Sequence, residues 1–405
     1  MMSSLRLPAV VTLVLALLLA GCGEEQTPRD LAGVPTERPA AVLRAQLTDV
    51  LVGHVYRTDL TVRADLAQGP DSERFKEATD ELDANSVALS QVIQAAYGAE
   101  TGRRFLSLWR EQVGLFLSYA AAKREGDDEA AEEAIAGLES FRGKASAFLS
   151  DVNPNLPRAE VARDLGTHVD DVLAMIRAAA VRSPETFGRT REAAGHMPGL
   201  AAPLAEAIAQ QFPAEFPGDA DGSAARLRAR MTARLTGHAH LLAATAVTDA
   251  SAGVNSVGAG AARSELEENS LALRDMLADV YGAASGEQFL GVWRKGIDLV
   301  EDLAAARRTD DADATAQARS ALDDWRVEFV ELMVGASPGL AAEPVASTLE
   351  THLDALDAAI VAAAADDEDL APRVVAAAQP MADLARLLAG AIARQFPGEF
   401  GATSG

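Results

Sequence analysis

Histidine is the residue in this chain whose type and spacing invite chemistry. There are six, and four recur in one pattern, Leu-x-x-His: Leu51/His54, Leu165/His168, Leu235/His238 and Leu349/His352. His54 and His238 stand 184 residues apart, and so do His168 and His352. A neutral imidazole is a metal ligand and, near neutral pH, a proton carrier. Each of the four falls on an apolar stripe of helical period, where a buried polar group without a partner costs about 1–3 kcal/mol. Partners are therefore expected: one another, a backbone carbonyl, or a ligand.

The neighbouring sequence suggests which groups share their level. His54 and Asn85 lie about equally far on either side of the turn at Gly69, and in an antiparallel helix pair equal distance from the turn means equal height. His168 stands in the same relation to His196 and Met197 across the turn at Ser183. The expected layer is His54, Asn85, His168, His196 and Met197 in the first half, and His238, Asn269, His352 and Met381 in the second. Three pairings follow: His54 with Asn85, His168 with His196 or Met197, and His238 with Asn269. Imidazole and thioether donors suit copper better than calcium or magnesium. The first half is expected to hold the fuller metal site, because Pro380 stands where His196 would recur. His240, two residues from His238 and on the opposite helix face, is expected to be exposed. The alternative role for the layer is structural, with each polar group fixing helix register.

The elements that carry these residues repeat with the same offset. Phe105-Leu106-x-x-Trp109-Arg110 returns as Phe289-Leu290-x-x-Trp293-Arg294, and Gln211-Phe212-Pro213 returns as Gln395-Phe396-Pro397. A period this long exceeds a solenoid unit and predicts two duplicated domains. Alanine is abundant, aromatics are 5%, and β-branched runs are missing, which favours helices. The expected architecture is all-α: two tandem duplicated antiparallel helical bundles of about six helices each. The first spans 40–216 and the second 224–400, with a linker at 217–223 and a tail at 401–405. Each is expected to fold separately. Pro198 and Pro203 are expected to interrupt the sixth helix. Trp109 and Trp293, with Phe105 and Phe289, are expected in the core. Asp219-x-Asp221-Gly222 lacks the later ligands of a calcium loop.

The N-terminus bears on location. Arg6 precedes an apolar run from Leu7 to Ala20, followed by Leu19-Ala20-Gly21-Cys22. These residues resemble a bacterial lipoprotein signal peptide with its lipobox. The resemblance implies cleavage after residue 21, a lipid on Cys22, and a flexible tether over 22–39 that holds the chain at the extracytoplasmic face of the cell membrane. The apolar run is too short to span a bilayer. Cys22 is the lone cysteine, so no intramolecular disulfide forms.

Other chemistry is disfavoured. A net charge of −24 repels nucleic acid and anionic headgroups. Three residues after the recurring histidines come Arg57, Asp171, Leu241 and Ala355, which do not meet the His-x-x-Glu motif of imelysin-like proteins. The leucine three residues before each histidine excludes the Glu-x-x-His pairs of di-iron bundles. No nucleophile triad, phosphate loop or zinc-protease motif is present. The sequence thus predicts a non-enzymatic, lipid-anchored binding module. Its partner would be a metal ion, a small ligand or an envelope protein. The competing expectation is a structural or interaction module of the cell envelope.

Overall fold

A computed structural model describes residues 33–401, and all described secondary structure is helical. The lipobox and Cys22 lie outside the described residues. After a short 3-10 turn at Pro35–Glu37, the chain forms α1 (Pro39–Gln68), α2 (Glu73–Tyr97), α3 (Ala99–Glu125), α4 (Asp128–Val152), α5 (Arg158–Ala180) and α6 (Thr186–Gln211). There follow α7 (Ser223–Ala252), α8 (Val257–Tyr281), α9 (Ala283–Arg308), α10 (Ala312–Ala336), α11 (Ala342–Ala364), α12 (Leu370–Ala378), α13 (Met381–Gln395) and the single turn α14 (Pro397–Phe400). The first residues of α1 and α7, of α2 and α8, and of α6 and α12 are each 184 positions apart.

Local chemistry sets these boundaries. Ser72 starts α2 by accepting the amide of Phe75 at 3.2 Å, and Ser256 does the same for Ala259 at 3.1 Å. Asp127 and Asp311 cap α4 and α10 through the amides of Ala130 and Ala314. Gly98 and Gly282, with φ of 86° and 88°, turn the chain within one residue between α2 and α3 and between α8 and α9.

Each of α1 to α6 packs on its chain neighbours, and α6 returns onto α1; α1, α3 and α5 also touch across the middle. The second half has the same neighbours, with α13 returning onto α7. Pro198 and Pro203 do not interrupt α6 as expected. Met197, Leu200, Ala201 and Leu204 are buried around them, and that packing offsets the missing backbone bonds. The second half does break, at Gln379–Pro380 between α12 and α13.

The halves do not enclose separate cores. α1 packs along α7, α6 touches α8, and α12 touches α2. One buried cluster runs through both halves, with a smaller one around Phe116, Tyr119 and Ile176. From Leu235 to Ala243 every residue of α7 is buried, as is every residue of α1 from Leu51 to Tyr56. A helix covered on all sides belongs in a core. Polar bonds also cross the contact. Thr236 donates to Asp49 at 2.7 Å, Arg228 donates to the Thr36 carbonyl at 2.7 Å, and Arg44 donates to the Ala220 carbonyl at 2.8 Å.

Candidate functional site

In the first half, α1, α3 and α5 bring His54, Trp109 and His168 together. The two imidazole centroids are 5.5 Å apart, and Trp109 lies 5.1 Å from His54 and 6.2 Å from His168, nearly parallel to the latter. Phe116 meets His168 edge-on at 5.8 Å. Both histidines are fully buried, and none of their four ring nitrogens has a hydrogen-bond partner. Trp109 Nε1 and both amide atoms of buried Gln112 are also unpartnered. Gln112 lies one turn after Trp109 and one turn before Phe116 on α3, so it shares the face that meets His168. Unpaired polar atoms are rare in folded proteins, and seven of them lie on His54, Trp109, Gln112 and His168.

Several expected pairings are not made. Asn85 is buried at about the right height, but its Nδ2 donates to the Val50 carbonyl at 3.1 Å rather than to His54. Asn269 packs beside Gly237, the neighbour of His238, and its Oδ1 has no partner. His196 does not join the layer. It is exposed, and its Nδ1 lies 2.5 Å from Asp171 Oδ2, one turn along α5 from His168. The carboxylate draws the ring outward, so the expected advantage of the first half disappears. Met197 is buried.

His240 is likewise misplaced by the sequence argument. It is buried and stacks on Tyr56 at 4.6 Å with 12° between the planes. Tyr56 and His240 are equivalent positions of the two halves, so equivalent residues face each other where α1 crosses α7. The face of α7 opposite His238 meets α1 instead of water.

The second-half layer is arranged differently. His238 lies 4.4 Å from Trp293. His238, His352, Met381, Trp293 and Trp325 line a small cavity of about 20 Å³. The Nδ1 of His352 lies 2.7 Å from the carbonyl oxygen of Ala377. That carbonyl falls at the end of α12, where the break at Pro380 disturbs the regular backbone ladder. The first half keeps α6 continuous, and His168 has no such partner. A second exchange separates the halves. Gly296 and Trp325 stand where Gln112 and Phe141 stand in the first half. The Trp325 ring fills the space beside Gly296 and donates Nε1 to the Val292 carbonyl at 2.7 Å.

Burial governs the charge of these rings. It holds His54 well below the ordinary imidazole range, with His168 and Arg57 adding to the effect. Burial lowers His168 to about 4, and it lowers His238 to about 3 with His352 contributing. It also lowers His240 to about 3, helped by Arg57. His352 is lowered by burial against an opposing push from the Ala377 carbonyl. Neutral imidazoles keep a lone pair free for a metal or a donor ligand.

Sequence reasoning missed Gln112, the indole nitrogens and the Ala377 carbonyl. The signal for Gln112 was present: an amide on the apolar stripe between Trp109 and Phe116, matched by glycine in the other half. Among the described residues, no group of three or more His, Cys, Asp and Glu is placed to hold a metal. None of the described helices is long and apolar enough to cross a membrane. No family model, curated protein or solved structure matches this chain.

Proposed function

We propose that the chain is a membrane-tethered extracytoplasmic lipoprotein. It is organised as two tandem duplicated bundles of about six helices each, and acts as a non-enzymatic binding module. The ligand is a metal ion such as copper, or a small molecule, at the buried histidine layer. The observation that carries this reading is the set of orphaned polar atoms on His54, His168, Trp109 and Gln112. Each costs about 1–3 kcal/mol if nothing meets it. The tether rests on the lipobox-like residues ending at Cys22, and the duplication on the shared 184-residue offset of sequence and helix starts. The acidic surface disfavours nucleic acid as a partner.

A second reading has its own support. The His352–Ala377 hydrogen bond satisfies one histidine within the protein, and His240 packs its ring on Tyr56. An envelope interaction module with register-setting polar groups would contain such contacts.

Metal analysis and native mass spectrometry of tag-free protein from its host test the binding reading. Bound metal or an added small-molecule mass is expected. Folded protein with neither, and with no thermal shift on adding metals, favours the structural module. For the tether, Cys22→Ser should release the protein from the membrane or leave its N-terminal segment uncleaved. Wild-type protein in the cytoplasmic fraction would defeat that part of the proposal.

A further inference from the structure

Granted a ligand at the histidine layer, as proposed above, we infer that the second-half cavity binds one monovalent copper ion through His352 Nε2, His238 and Met381. Size is the first argument. A cavity of about 20 Å³ admits a single ion or water and excludes an organic ligand. Donor chemistry is the second. The lining offers two imidazoles, one thioether and two indoles, together with Leu, Ile, Val and Gly, and no carboxylate or thiol. Imidazole and thioether are ligands for Cu(I), whereas calcium, magnesium and manganese seek oxygen.

Charge is the third. No anion lines the cavity to neutralise a divalent ion, so Cu(II) or Zn(II) would bury twice the charge among neutral groups. A monovalent ion halves that charge.

The tautomer of His352 favours a metal as well. Its Nδ1 lies 2.7 Å from a carbonyl oxygen, which can only accept, so Nδ1 carries the proton and Nε2 carries the lone pair. A metal-binding histidine is commonly fixed in this way, with its second nitrogen donating to a carbonyl. The residue responsible is Pro380, at the break that ends α12 near Ala377. His196 at the equivalent first-half position leaves α6 unbroken and turns outward to Asp171. Trp325 over Gly296 closes one wall, where Gln112 stands in the first half. The two layers have thus diverged, and the second is fitted to a small soft cation.

Anaerobic titration of Cu(I) against a chromogenic chelator tests this, using full-length protein in detergent with Cys22→Ser to remove the only thiol. Tryptophan fluorescence is followed in parallel. The expected result is one equivalent bound with quenching. Met381→Leu, close in volume, should weaken binding more than about tenfold, and Met197→Leu should leave it unchanged. His352→Gln gives an independent loss should Met381→Leu disturb packing, which the far-ultraviolet circular dichroism of each variant would reveal. Binding that survives Met381→Leu and His352→Gln but falls with Met197→Leu or His168→Gln overturns the second-half assignment and leaves the histidine-layer reading standing. No Cu(I) uptake by the folded protein overturns the assignment, while a small molecule found by mass spectrometry would still support the broader reading. Equal affinity for Cu(I) and Zn(II) at Met381 would overturn the choice of a monovalent ion.

Discussion

At the scale of single residues, this molecule holds five neutral histidines in its core. Their effect on stability has a definite sign. His168 has a value of about 4 when folded against an ordinary 6.5, so between those values the unfolded chain binds more protons. The stability it contributes is complete above about pH 6.5 and is lost as pH falls towards 4, amounting to roughly 3 kcal/mol at 1.36 kcal/mol per unit. His54, His238, His240 and His352 act in the same direction. Asp249, raised to about 6 by burial, opposes them in the lower part of the window. The expected result in urea unfolding is a stability that drops between pH 7 and 4, with a shallower drop for His168→Gln. A flat profile would contradict neutral burial. The recurring histidines were legible as buried because leucine and other apolar residues surround them at helical spacing. The outward turn of His196 was not legible, because Asp171 acts across a helix pair that counting from the turn does not resolve sideways.

At the scale of elements, helix boundaries were readable because their punctuation is local. Ser72, Asp127, Gly69 and Gly98 mark ends by capping or by backbone conformation that neighbours cannot alter. Buried faces were less readable on α7, since a periodicity argument assumes one wet side and α7 has none along its middle. The comparison of halves supplies a test of backbone strain. Asp310 occupies a left-handed conformation with φ of 52°, where the first half has Gly126 at φ 72°. A side chain there costs about 1 kcal/mol, partly offset by the greater freedom of glycine when unfolded. Asp310→Gly should therefore raise stability by a few tenths to about 1 kcal/mol, and Gly126→Asp should lower it similarly. Urea midpoints of the two variants would show this; a loss of stability in Asp310→Gly would mean that Asp310 makes a compensating contact.

At the scale of the whole molecule, the histidine layers and the α1–α7 contact belong to one buried system. Val52, Val55 and Tyr56 on α1 and Ala239, Leu242 and Ala243 on α7 all join the common cluster. The sequence offset suggests two self-sufficient units, because a repeated pattern does not say which faces the halves turn to each other. A fragment of residues 34–216 should expose the α7-facing side of α1, so it should self-associate or melt with low cooperativity. A monomeric fragment with sharp unfolding would instead support independent domains.

The most direct measurement concerns the orphaned nitrogens themselves: the unfolding free energy of metal-free His168→Leu against wild type at pH 7. Leucine removes two buried nitrogens that have no partner and forfeits some ring contact with Trp109 and Phe116. If the layer is kept for a ligand, metal-free stability should stay within about 1 kcal/mol of wild type or rise. A loss of about 2–3 kcal/mol would mean that His168 holds the helices in register, and would contradict the binding account.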